Sequence, residues 1–379
     1  MSLTRKHRIF GLDVMRATAI CMVVFAHSLY IFKDYNNAYI QFLDIFGFLG
    51  VEMFFVLSGF LIGGILFRLF TSKEVSFKDL KQFWMRRWFR TLPLYFLFLL
   101  VNTLVALIVG YELPQAFWKY VFFLQNFSNV QLSFFPESWS LSVEEYSYLL
   151  SPIGIYFISK IVVKLKSVSK EKVFLLTSLL FVVFCLILKI IYNSQQTFNQ
   201  YDLEGWNTNL KTIVIYRLDA IFYGFILVYF FEAKASFIKQ IRKILCFTGF
   251  VLIFTTIILL PSLGVTIEFY PWYWNIIYLP LNSVAIALIL PYLYYLKRPT
   301  YKNIAQIITR ISLYSYSMYL LHYTFLLYIM DLVIDFNRLD IFERIICSMT
   351  YISITYFSSK IIYKFFEKPI TDMRDKFNT

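Results

Sequence analysis

The chain has 379 residues, 59% of them hydrophobic, with a mean hydropathy of +0.64, a bias that a water-soluble domain of this length does not carry. Its formal net charge is +13, and in so apolar a chain that excess belongs in cytoplasmic loops rather than against nucleic acid. The four cysteines, Cys21, Cys185, Cys246 and Cys347, lie in separate apolar stretches without metal-ligand spacing. Neither a zinc site nor a disulfide framework is expected from them, only buried, inert thiols.

About 20 apolar residues cross a bilayer core. Ten stretches qualify: 10–32, 43–67, 91–110, 138–159, 173–192, 211–231, 244–261, 273–296, 307–330 and 344–366. The expected fold is therefore all-α, a polytopic membrane protein of about ten transmembrane helices, and residues 1–379 read as one domain. The start, MSLTRKHR, is basic like the head of a secretion signal. The apolar stretch behind it is too long, holds Asp13 and Arg16, and lacks a small-x-small cleavage site, so it reads as a retained first helix. His7 reads as a solvated tail residue.

The first span holds Asp13, Arg16 and His27. Charged groups in a span cost roughly 2.5–3.5 kcal/mol each on insertion scales and face a protein interior, a partner charge or a water-filled cavity. Arg16 and His27 are eleven residues apart, three turns plus about 20°, hence on one helix face and separated by about 16 Å along the axis. Asp13 is placed to pair with Arg16 at i,i+3. The second span carries Glu52 near its middle, and Gly59, Gly63 and Gly64 suit close helix packing. Residues 68–90 mix basic and aromatic side chains and suggest an interfacial helix on the cytoplasmic face. In the outer loop 111–137, FWKYVFFLQNF is too short to span and reads as re-entrant or surface-bound.

Later spans add more buried charge. Glu144 enters about five residues deep from the outer side, Arg217 lies about six residues into the sixth span, and His322 falls in the outer half of the ninth. Two layers result: an outer one of His27, Glu144, Arg217 and His322, and an inner one of Asp13, Arg16 and the run Arg86, Arg87 and Arg90. Neutral His is a good base near neutral pH, a carboxylate at its depth can steady the imidazolium, and guanidinium groups bind phosphate bidentately. That layout suits a phosphorylated cytosolic donor and a hydroxyl acceptor from the opposite side. Plainer accounts exist for single residues: Glu52 or Glu144 closing the bundle against Arg217, His322 as an interhelical hydrogen-bonder, and the arginine run as ordinary inside charge.

Orientation follows from Lys and Arg. With the N-terminus inside, the inner segments hold 28 of the 36 basic residues and the outer ones six. That asymmetry places both termini in the cytoplasm.

Seven blocks in order resemble acyltransferase family 3, the integral-membrane O-acyltransferases. GLDVMRATAICMVVFAH (Gly11–His27) is similar to its first-helix pattern and GVEMFFVLSGFLI (Gly50–Ile62) to its second. RRWFRTLPLY carries its R-x-x-R at Arg87 and Arg90, followed by Pro93. WSLSVEEYSY (Trp139–Tyr148), RLDAIFYG, SYSMYLLH and the closing FEKP (Phe366–Pro369) complete the set. Glu52 stands where the family often has Asp. The resemblance implies transfer of an acyl group, most often acetyl, from acyl-CoA to a hydroxyl of an extracytoplasmic or lipid-linked glycan in a bacterial plasma membrane. It implies an essential His27, with Arg16, Arg87 and Arg90 functional. Some members add an extracytoplasmic hydrolase-like domain, for which this chain leaves no room after FEKP. The expected mechanism is direct transfer with His27 as base, Glu144 supporting it, and Arg16, Arg87 and Arg90 on the CoA phosphates; Asp13, Glu52, Arg217 and His322 support the site, and no metal enters. The rival reading is a secondary transporter using the same groups as a proton relay.

Overall fold

The computed structural model describes residues 8–35, 38–130, 133–164, 168–196 and 202–373; His7 lies outside them. Ten long helices run through the described residues: α1 Phe10–Ser28, α2 Ala38–Ser72, α3 Phe77–Val109, α4 Ser138–Lys164, α5 Lys170–Gln195, α6 Val214–Ala233, α7 Ala235–Phe254, α8 Leu279–Tyr294, α9 Lys302–Leu321 and α10 Ile341–Ile362. Eight helical runs are long and apolar enough to cross a membrane. The other two long helices, α4 and α9, are more polar because they turn serines and acids inward: Ser140, Ser142, Glu145 and Ser147 on α4 and Ser312, Ser315 and Ser317 on α9 are all buried. The protein is an all-α, polytopic membrane protein, as the hydropathy pattern predicts.

The centre is formed by α1, α2 and α6, with α2 packed along both α1 and α6. A Cβ on Gly59 would overlap the Ile221 carbonyl, and one on Gly224 would strike the backbone of Val56 and Phe60. The two backbones therefore touch at this crossing, and only glycine fits on either side. α5 packs on the far side of α6, α7 along α8, and α9 between α1 and α10.

Three local expectations change. The basic and aromatic residues after Ser76 do not form a separate interfacial helix. The capping box of Ser76 and Asp79 starts α3 at Phe77, and the helix continues through Pro93 to the left-handed cap at Gly110. Arg86, Arg87 and Arg90 therefore ride on the inner half of a span. Of the two readings of the outer loop, the structure narrows the choice to one that enters the bundle: Tyr120, Gln125 and Asn126 are buried, while Trp118 and Phe122 stay exposed. The Tyr95 hydroxyl donates to the Tyr120 carbonyl (2.8 Å), and Asn126 Nδ2 donates to the carbonyls of Trp139 and Thr212. Phe123 is held in the left-handed region (φ 58°), its ring 4.4 Å from that of Tyr95. Cys185 and Cys246 are buried as expected, but Cys21 faces outward from the bundle.

Candidate active site

At the cytoplasmic end a vestibule of about 1030 Å³ opens between α1, α2, α6, α9 and the segment beyond α10. Its charges are mostly matched. Asp13 accepts from Arg8 Nε (2.5 Å) and from Ser312 Oγ (2.9 Å), Lys368 bridges Asp372 (2.5 Å), and Arg68 approaches Glu232 (3.8 Å). The i,i+3 pairing of Asp13 with Arg16 does not form, because Arg8 folds back onto the carboxylate. Among the described residues, Arg16 reaches the Ser312 hydroxyl, at 3.4 Å.

Arg16, Arg90 and Leu61 are shared with a narrower cavity of about 100 Å³ that continues inward. It adds Arg87, whose guanidinium lies 5.5 Å from the Tyr148 ring and whose buried Nε has no partner among the described residues. Glu144 faces this cavity too. Its carboxylate accepts from Ser58 Oγ (2.7 Å) and the Tyr148 hydroxyl (2.9 Å). The structure thus moves Glu144 from the outer layer to the arginines; it does not touch His27. Three arginines against one carboxylate leave this cavity cationic, the environment that guanidinium–phosphate recognition needs.

The cavity ends at Ser140 and Tyr319, whose hydroxyls are 2.6 Å apart. Behind Tyr319 stand the two histidines. His322 Nδ1 lies 2.7 Å from the Tyr319 carbonyl, and His322 Nε2 lies 3.3 Å from His27 Nδ1. His27 Nδ1 is also 2.9 Å from the Val23 carbonyl. Carbonyl oxygens only accept, so the hydrogen-bond pattern assigns the Nδ1 proton in both neutral rings. That one His27 proton points to the Val23 carbonyl at 2.9 Å, and His322 Nε2 at 3.3 Å is its weaker second acceptor, which leaves the His27 Nε2 lone pair without a partner among the described residues. His322 is fully buried, whereas His27 stays partly accessible. A π-helical turn, His322–Leu327, follows α9 and presents His322 toward α1.

Beyond His27 the Tyr323 ring packs at 4.6 Å between centroids. Tyr323 also lines a cavity of about 200 Å³ on the outer side. Cavities of opposite character therefore approach the histidine pair from the two faces of the bundle.

The remaining predicted residues do not join this axis. Arg217 is ion-paired with Glu52, whose other oxygen accepts from Ser283 Oγ (2.6 Å); both charged side chains are fully buried and line none of the three cavities. Arg217 thus belongs to a packing pair between α2 and α6, not to the histidine layer. Sequence reasoning passed over Ser58, Tyr148, Ser140 and Tyr319. All four lie inside the blocks that resemble the family pattern, but a lone hydroxyl on a helix is too common to single out. Glu137, just ahead of α4, is buried and accepts from the Thr324 backbone N–H (3.0 Å) and hydroxyl.

The acyltransferase domain model of family 3 matches residues 9–361. The O-acetyltransferase OatA of Staphylococcus aureus strain NCTC 8325 is 26% identical over 385 residues, covering 95% of this chain and 57% of its own length, and OatA of strain COL gives the same figures. A putative O-acetyltransferase of strain COL is 31% identical over 158 residues, which is 38% of this chain and 24% of that protein. The chain thus spans little more than half the length of OatA. No solved structure matches.

Proposed function

This chain belongs to acyltransferase family 3, and we propose that it is a membrane-embedded O-acetyltransferase. It moves an acyl group, most simply acetyl, from cytoplasmic acyl-CoA to a hydroxyl of an extracytoplasmic or lipid-linked glycan, in a bacterial plasma membrane. The observation that carries the reading is that an arginine-lined inner cavity reaches Tyr319 and a tyrosine-lined outer cavity reaches Tyr323, the two residues whose rings flank one histidine pair.

In this reading Arg16, Arg87 and Arg90 hold the CoA phosphates at the inner cavity. The extended arm of the donor covers the rise of about 16 Å from Arg16 to His27. His27 Nε2 takes the proton of the acceptor hydroxyl as its oxygen attacks the thioester carbonyl. The carbon–sulfur bond breaks, and the imidazolium returns the proton to the CoA sulfur. His322 is a positioning residue: the Val23 carbonyl sets the His27 tautomer, and His322 Nε2 backs it as a second acceptor and holds the ring in place. Glu144 acts from the donor side, balancing the arginines and holding Tyr148 and Ser58. The described helices carry out the membrane part of the transfer as a single unit.

The test is incubation of membranes containing the protein with radiolabelled acetyl-CoA. Base-labile label on surface glycan is the expected product, and His27→Ala abolishes it in protein that still folds. Uptake of substrate without covalent label would replace this reading with transport.

A further inference from the structure

The outer cavity is more than the far mouth of the site. It lies between the outer end of α3, the loop after α3 and the π-turn behind α9. One wall is Asn102, seven residues before the end of α3 and therefore about 10 Å inside the helix terminus. Asn102 is 3% exposed, yet neither its Nδ2 nor its Oδ1 has a hydrogen-bond partner among the described residues. A carboxamide offers two donors and two acceptor lone pairs, and leaving all of them unused in a buried position is costly. Such a side chain facing a cavity is a recognition group awaiting its partner.

The rest of the wall has matching chemistry. Tyr30, Tyr111 and Tyr323 supply aromatic surface, and Ser133 and Thr324 supply hydroxyls. The rim is fixed: the Tyr30 hydroxyl (3.0 Å) and Lys33 Nζ (3.1 Å) both donate to Asp331, and the Tyr111 and Ser133 hydroxyls are 3.2 Å apart. A pyranose ring carries apolar C–H faces and a girdle of hydroxyls, so rigid aromatic walls with a few placed amide and hydroxyl groups fit it. At its deep end the groove reaches Tyr323, whose ring contacts His27.

We propose that this groove is the acceptor subsite, that its ligand is a single sugar unit of the glycan, and that Asn102 reads the hydroxyls flanking the one to be acylated. The proposal rests on the acyltransferase reading above and adds the location and chemistry of its second substrate.

The experiment uses the purified full chain in lipid nanodiscs with radiolabelled acetyl-CoA. The acceptor is surface glycan from the source cells, freed of esters by mild base. Asn102→Leu, close in volume but without the amide, is expected to raise the half-saturating glycan concentration at least tenfold, with the half-saturating acetyl-CoA unmoved. Val105→Trp narrows the same groove from a half-exposed position and is expected to do likewise, which covers the case in which the Asn102 variant does not fold. If wild-type protein labels the glycan and the folded variants saturate with it as wild type does, the subsite is elsewhere and the acyltransferase reading stands. If wild-type protein leaves the glycan unlabelled, the acyltransferase reading itself falls and takes the subsite with it.

Discussion

Two sets of arginines lie inside this bundle, one fully buried and one half-buried, and they differ in what satisfies them. Arg217 on α6 is fully buried against Glu52 on α2, beside the Phe55 ring, and borders none of the three cavities. Arg16 and Arg87 border a cavity, and neither forms an ion pair among the described residues. A buried charge with its counter-charge is consumed in holding helices together, whereas a cationic wall around open space is poised for an anion from outside. The same distinction separates the histidines: His322 has both nitrogens engaged, while His27 keeps one free and stays accessible.

The largest effect expected from breaking this division is at His27. His27→Ala should lower the transfer rate by about 10²–10⁴-fold, the usual share of a general base, with at most the loss of stability, about 1–3 kcal/mol, that follows from leaving the buried His322 Nε2 unpaired. His322→Gln should slow transfer less and shift its pH profile, because His27 loses the second acceptor beside its Nδ1 proton. A His27→Ala protein that transfers acetyl at the wild-type rate would remove the histidine pair from the chemistry.

The paired arginine should give the opposite signature. Glu52→Ala leaves Arg217 buried without a counter-charge, a loss of about 3–5 kcal/mol in stability, read as a lowered unfolding midpoint in detergent. The double replacement Glu52→Leu with Arg217→Met should regain most of it. If the double variant is no more stable than the single one, the pair does not act as packing. Arg87→Ala, by contrast, should leave the midpoint unchanged and raise the half-saturating acyl-CoA roughly 10–100-fold, the worth of a lost charge-assisted hydrogen bond of about 1.5–3 kcal/mol. An Arg87→Ala protein that unfolds early but binds donor normally would put Arg87 in the same class as Arg217.

Much of this division was legible in the sequence. The 100° step per residue places Arg16 and His27 on one face at separate depths, and the structure puts them at the inner cavity and the histidine pair. What failed was depth counted from the ends of apolar stretches. Glu144 was assigned to the outer layer on the premise that α4 starts at the membrane surface. The loop before it packs into the bundle instead, with Tyr120, Gln125 and Asn126 buried, and Glu144 meets Ser58 and the arginines. The contact between His27 and His322 was illegible for another reason. The chain leaves regular α geometry at His322, and a π-turn shifts the facing residues away from a 3.6 period. The continuous α3 was readable and missed: Ser76 followed three residues later by Asp79 is a helix start, and nothing before Pro93 argues for a break.

Glu137 sharpens the comparison from the acid side, with the smallest expected effect. Glu52 has a buried counter-charge; the side chain of Glu137, in the loop ahead of α4, has among the described residues the backbone and hydroxyl of Thr324 as its donors. Burial pushes its carboxyl up to about 7, against the partial opposition of those hydrogen bonds. A raised carboxyl value means that the folded protein keeps a proton that the unfolded chain releases. Its contribution to stability is therefore complete below the ordinary carboxyl range and is lost as pH rises through about 7. Glu137→Gln keeps the shape and removes the titration. The wild-type unfolding midpoint should fall between about pH 5 and pH 8 by an increment that the variant lacks, since one fewer proton is linked to folding. Identical slopes in the two proteins would mean that Glu137 is ionised in place, and that a buried acid in this loop is held by hydrogen bonds alone without taking up a proton.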